Sequence, residues 1–125
     1  MQTLIQPRKI EDEKRKQVIL ETLADQYSQD ILQTIMDKPK SVMDITAETR
    51  IPVSTVYRRI QLLHDNKIVS ISGTISDDGK KYFLYRSKIR SISIISDCYS
   101  TKIEIVPNIT DSEEGFLEGN MAIQI

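Results

Sequence analysis

The chain has 125 residues, of which 39% are hydrophobic and 28% charged, a composition that supports one folded core with room for an appendage. No apolar run approaches the about 18 residues of a membrane span, and the N-terminal M-Q-T-L-I-Q-P-R-K lacks a signal-peptide core, so a soluble, cytoplasmic protein with no membrane partner is expected. A single cysteine, Cys98, and a single histidine, His64, exclude an intrachain disulfide and a Cys/His zinc quartet.

The net charge of −1 conceals an asymmetry. Residues 97–125 carry six acidic side chains against Lys102 alone, a net of −5. Residues 50–90 carry nine Lys or Arg against Asp65, Asp77 and Asp78, a net of +6. A basic middle and an acidic end fit an electrostatic footprint on one face.

In chain order, residues 8–24 suit a helix whose first half, K-I-E-D-E-K-R-K-Q, is a solvated mixed-charge surface and whose second half is apolar. Ser28 is a candidate N-cap for a second helix over about residues 28–37, with Ile31, Leu32, Ile35 and Met36 as its buried stripe. Pro39 ends it. Ser41 caps the next short helix, with Asp44 completing a capping-box pair and Val42, Ile45 and Ala47 facing inward. Residues 49–51 make a turn plugged by Ile51, and Pro52 opens the following helix. There Val56, Ile60 and Leu63, with Leu62 beside them, form the inward stripe. Ser54, Thr55, Arg58 and Gln61 fall on another face, with Tyr57 and Arg59 flanking it. Asp65-Asn66-Lys67 closes the helix, asparagine being tolerant of the left-handed conformation at a C-terminal cap.

Residues 68–76 and 82–85 read as strands around Asp78-Gly79, a tight-hairpin signal in which both central positions take positive φ. Lys80, Lys81 and Arg86 decorate this hairpin. Helices followed by such a hairpin is the order of a winged helix. I-R-S-I-S-I-I-S and T-K-I-E-I-V form a second, Ile-rich hairpin, either separate from the first or continuous with its strand. After Pro107 the chain is acidic and read as loop, with M-A-I-Q-I a short terminal strand.

The stretch T-L-A-D-Q-Y-S-Q-D-I-L-Q-T-I, followed by K-S-V-M-D-I-T-A-E-T-R-I-P-V-S-T-V-Y-R-R-I-Q-L-L-H-D-N-K-I-V, resembles the ArsR-like winged helix-turn-helix regulators of the small archaeal type. The resemblance covers residues 18–88, and its most specific part is I-P-V-S-T-V-Y-R-R-I. It implies a homodimer that binds double-stranded DNA, with residues 52–66 as recognition helix and 68–86 as wing. Two departures qualify it. Metal-sensing members carry paired cysteines, or His and Asp ligands, that this chain lacks, so no metal or cofactor is expected. The family dimerises through terminal helices, whereas this C-terminus reads as strands. A third, smaller departure is Arg50, where such turns often hold glycine; a phosphate contact would offset the cost of a left-handed residue.

The expected architecture is therefore α+β: a winged helix-turn-helix of three or four helices plus a β-hairpin wing, with a C-terminal β-hairpin extension. Residues 1–25 form the N-terminal helix, 26–88 the DNA-binding domain, and 89–125 a dimerisation or interaction segment. The candidate DNA-binding residues are Arg50, Ser54, Thr55, Tyr57, Arg58, Arg59, Gln61, Lys80 and Lys81. Arg58 either reads guanine through two bonds, contacts phosphate only, or pairs with Asp65 or Glu48 on the surface. Lys80 and Lys81 either meet phosphate or keep the hairpin soluble. Neither His64 nor Cys98 has a titratable partner at a suggestive spacing, so no enzyme is expected. The alternative function is a winged-helix protein-interaction module of a larger transcription or replication assembly. A small-molecule effector is left open.

Overall fold

A computed structural model describes residues 6–109 as an α+β protein. The order is β1 (Arg8–Lys9), α1 (Glu13–Ala24), α2 (Gln26–Thr34), α3 (Val42–Thr49), α4 (Val53–Asp65), β2 (Val69–Ile75), β3 (Lys81–Ser87), β4 (Ile89–Ser96) and β5 (Thr101–Pro107). No helix among the described residues is long and apolar enough to cross a membrane. The described residues form two compact units, one spanning residues 12–87 and the other combining residues 6–11 with 88–109. The boundary expected at residue 25 is thereby replaced: α1 belongs with the helices that follow it, and the residues before it join the C-terminal strands.

In the contiguous unit the first helix begins at Glu13, not at residue 8, because Asp12 caps it by accepting from the Lys14 N–H at 3.0 Å. Residues 8–9 are extended instead. Val18, Ile19 and Thr22 form its buried face, the Thr22 hydroxyl bonding back to the Val18 carbonyl at 2.7 Å. The cap of α2 is Asp25, not Ser28. Its carboxylate accepts from both the N–H (3.1 Å) and the hydroxyl (2.6 Å) of Ser28, which places Ser28 inside the first turn and buries it. Asp25 also closes α1, its own N–H donating to the Thr22 carbonyl.

α2 stops at Thr34, short of residue 37, with Ile35 as its C-terminal cap. Ile31 and Ile35 are both fully buried. The Ile35 carbonyl accepts from Ser87 N–H at 3.1 Å, and Lys40 exchanges two backbone bonds with Tyr85, so the end of α2 and the start of α3 are tied to β3. Ser41 and Asp44 make the expected reciprocal capping box. Val42 and Ile45 are buried as expected, but Ala47 is exposed.

Arg50 links α3 to α4 in the left-handed conformation, φ 64°, with Ile51 buried beneath it. Pro52 is the N-cap of α4, and its carbonyl accepts from Thr55 and Val56 N–H at 3.0 Å each. Val56, Ile60 and Leu63 are buried, while Leu62 is 42% exposed and lies off the stripe. The left-handed residue after α4 is Lys67 (φ 63°), not Asn66 (φ −106°). Asn66 is buried, its amide donating to the Leu62 carbonyl and its own carbonyl accepting from Arg15 Nε at 3.0 Å.

β2 and β3 pair antiparallel from Val69↔Ser87 to Ile75↔Lys81. Only Gly79 of the loop takes positive φ (84°), and Gly79 N–H donates to the Ser76 carbonyl at 2.9 Å. The loop is therefore a type I turn closed by a left-handed glycine, not a two-residue turn with both centres left-handed.

In the other unit the strand order is β1-β5-β4. β4 and β5 form the expected Ile-rich hairpin, and its sheet is separate from that of β2 and β3. Ile10, Ile89, Ile103 and Ile105 are buried hydrophobic residues of this unit, and Asn108 is buried as well. Arg90 donates to the Asn108 carboxamide at 2.7 Å where the hairpin ends. The tail after Ile109, including M-A-I-Q-I, lies outside the described residues.

Candidate nucleic-acid interface

At 100° per residue, the three buried residues of α4 centre on one line, and Ser54, Arg58, Gln61 and Asp65 fall on the opposite side. All four are exposed. The candidate contacts Ser54, Arg58 and Gln61 thus share one solvent-facing stripe. Arg58 makes no hydrogen bond or ion pair with the described residues. Its expected surface partners are engaged elsewhere: Glu48 with Lys40 Nζ at 2.6 Å, and Asp65 with Gln61 Nε2 at 2.9 Å. The Lys40 bond holds the Glu48 carboxyl below its ordinary range, with help from the Thr34 hydroxyl.

Tyr57 and Arg59 do not flank that stripe symmetrically. Tyr57, 56% exposed, lies on the side of α4 towards β3, close enough to Tyr85 to influence it electrostatically. Burial, and secondarily Tyr57, pushes the Tyr85 phenol up. Arg59 turns the other way, to α2. Its Nε and Nη2 donate to the two carboxylate oxygens of Asp25 at 2.7 and 3.2 Å, and its guanidinium carbon sits 5.8 Å from the Tyr27 ring centroid. Arg59's hydrogen bonds bring the Asp25 carboxyl down to about 2, and the same bonds raise Arg59. Arg59 is thereby occupied in joining helices, and lies on a different side of α4 from Ser54, Arg58 and Gln61.

Arg50 is exposed, and its backbone N–H closes the end of α3 on the Thr46 carbonyl at 2.8 Å while its guanidinium has no partner among the described residues. Thr55 is half-buried, on the same flank as Arg59, and Ser54 is open to solvent. No side chain caps α4, so the first N–H groups of the helix, at Val53 and Ser54, are left to solvent or an anion.

No protein-family model matches this chain, and no curated protein matches it either.

The hairpin loop is less basic than its two lysines suggest. Asp77 and Asp78 offset Lys80 and Lys81 within five residues, and a bond from the Ser76 hydroxyl holds the Asp78 carboxyl low, so it stays ionised. Lys81 also lies over the Phe83 ring, 5.6 Å from its centroid, while the Lys80 side chain has no partner among the described residues. His64 is exposed, with Nδ1 3.9 Å from Asp65, and Cys98 is exposed in the β4–β5 turn.

Two exposed apolar residues of α3 and α4 carry no mark in the sequence reading. Val53, 37% exposed, opens α4, and Met43, 66% exposed, lies on α3. Val53 recurs four residues before Tyr57 on the same side of the helix, a spacing that identifies it once the buried stripe is known. The separation of Arg59 from Tyr57 was legible the same way. Its partner Asp25, 34 residues earlier, was not.

Proposed function

We propose that this chain is a sequence-specific double-stranded DNA-binding transcriptional regulator acting as a homodimer. In this reading the fold is a winged helix-turn-helix: α3 and α4 are the helix pair, α4 enters the major groove, and β2–β3 is the wing. The observation that carries the reading is the polar stripe Ser54–Arg58–Gln61 on the side of α4 opposite its core, with Arg58 exposed and without a partner among the described residues. A guanidinium there can bond guanine O6 and N7 together, and Gln61 can address a base or phosphate if it leaves Asp65. Arg50 and the uncapped N-terminus of α4 add two places for phosphate at the same end of the helix. The ArsR-like resemblance of residues 18–88 supports the same assignment. A two-fold dimer would set its two α4 helices about 34 Å apart, in successive major grooves of a near-palindromic site.

Selection of bound duplexes from random DNA, followed by gel shifts of the selected site against salt, tests this. A two-fold symmetric site is expected, with log affinity falling linearly as log salt rises. Binding to no duplex, or binding indifferent to salt, refutes the reading.

One observation favours a protein-interaction module instead. Ile71, Ile75 and Phe83 share one face of the β2–β3 hairpin and are 39%, 71% and 48% exposed. Exposed apolar area of this kind serves a protein partner better than a phosphate backbone. Replacing Ile75 and Phe83 by serine discriminates: unchanged DNA affinity would assign that face to another partner, and lost affinity would assign it to the duplex.

A further inference from the structure

The exposed side of α4 is not wholly polar. Val53 and Tyr57 are 37% and 56% exposed. Single exposed apolar residues are ordinary, but two at i and i+4 on a helix form one continuous surface. At 100° per residue, the line through Ser54 and Gln61 divides the solvent-facing side of α4. Arg58 lies about 50° to one side of that line and Tyr57 about 50° to the other, with Val53 about 40° beyond Tyr57. One flank is therefore cationic and the other apolar. The apolar flank begins at the first residue of the helix, beside N–H groups that no side chain caps.

What the apolar flank faces follows from the chemistry of the major groove. Each base edge there presents hydrogen-bond donors or acceptors, and thymine alone adds an apolar group, its C5 methyl. A recognition helix brings its N-terminal residues closest to the base edges, and Val53 opens α4 with Tyr57 one turn later. We propose that Val53 and Tyr57 form an apolar seat for a thymine methyl group, and that they select thymine near the guanine that Arg58 addresses. Cytosine at that place loses the methyl contact. A purine sets the polar atoms of its edge against valine and an aromatic ring, where they lose water and gain no partner. Val53 and Arg58 are separated by about 7.5 Å along the helix axis, so the thymine falls within about two base pairs of the guanine. The assignment rests on the DNA-binding reading above, to which it adds Val53 as a specificity-determining residue and thymine as the base.

Replacing each thymine of a selected duplex singly by uracil tests it, because uracil keeps every hydrogen-bonding group of thymine and lacks only the methyl. Gel-shift titration of the full chain is expected to find one thymine in each half-site, within about two base pairs of a guanine, where the replacement weakens binding about fourfold. Cytosine and 5-methylcytosine at that place should differ in the same sense, since the methyl sits on the same ring carbon. Val53→Ala and Tyr57→Ala should each bring the thymine-to-uracil ratio towards one, mainly by weakening the thymine duplex. Both side chains are exposed and alanine favours the helix, so both variants should keep the wild-type far-UV spectrum. If one of them unfolds, the other and the wild-type uracil series decide. A ratio of one at every thymine, or a ratio that both variants leave unchanged, overturns the thymine seat while the DNA-binding reading stands. A wild type that binds no duplex overturns both.

Discussion

Replacing Asp25 by asparagine isolates the ion pair that ties α2 to α4. Asparagine keeps an oxygen for the Ser28 N–H, so the helix cap survives and only the charge is removed. Bonds to Arg59 hold the Asp25 carboxyl at about 2 against an ordinary 3.8, which corresponds to about 2.4 kcal/mol at about 1.4 kcal/mol per pH unit. Asp25 and Arg59 side chains are 31% and 26% exposed, so solvent screening reduces the net worth of the pair to about 1 to 1.5 kcal/mol. Because the folded carboxyl is the stronger acid, this stabilisation is complete above about pH 4 and fades as the pH falls towards 2. Urea unfolding of wild type, Asp25→Asn, Arg59→Gln and the double variant, followed by far-UV circular dichroism, measures it. The coupling energy should be about 1 to 1.5 kcal/mol at pH 7, smaller in 1 M salt, and the gap between wild type and Asp25→Asn should close through that acid window. Strictly additive substitutions at pH 7, or a gap that stays constant down to pH 2, would refute the role given to this pair.

The remaining expectations concern the candidate interface. Arg58→Ala should flatten the ranking of selected sites, at about 1 to 3 kcal/mol for the preferred base, whereas Lys80→Ala should weaken all duplexes alike; competition gel shifts separate the two patterns. Arg50→Gly should separate stability from binding. Glycine relieves the left-handed backbone at φ 64° and should raise thermal stability by up to about 1 kcal/mol, while losing a phosphate contact and reducing the salt slope by about one. A variant that is more stable and binds DNA unchanged would leave Arg50 with no part in the interface.

Most of the local structure could be read from the chain because its determinants are local. The Ser41–Asp44 capping box, the plug at Ile51, the buried Val56–Ile60–Leu63 stripe and both hairpins each depend on residues a few positions apart. The errors arose where a distant group competed. Ser28 is a good cap by composition, but Asp25 has a second partner in Arg59, and the helix starts where both bonds can be made. Residues 8–9 read as the start of a helix because their pairing strand lies far along the chain, at residues 104–105. Asn66 tolerates the left-handed conformation in general, but here its amide is used on the Leu62 carbonyl and the turn passes to Lys67. On the candidate face, Ser54, Arg58 and Gln61 were legible from helical spacing alone. The chemistry of Arg59 suits phosphate and carboxylate equally, and in the structure a carboxylate, that of Asp25, holds it.

The sheet that joins β1 to β4 and β5 bears on how this protein emerges from a ribosome. Arg8 pairs with Ile105, so β1 is synthesised long before the strand it pairs with. The unit of residues 12–87, by contrast, is contiguous and can fold as soon as it is exposed. At about 5 to 20 residues per second, β1 waits several seconds as an unpaired strand while that unit forms beside it in the chain. Its brevity and its two charges then have a use: they keep a waiting edge from seizing the wrong strand. Pulse-labelled hydrogen exchange during refolding would reveal the order, with α1 to α4 protected before Ile103 and Ile105; simultaneous protection would mean that β1 and β5 meet as early as the helices do.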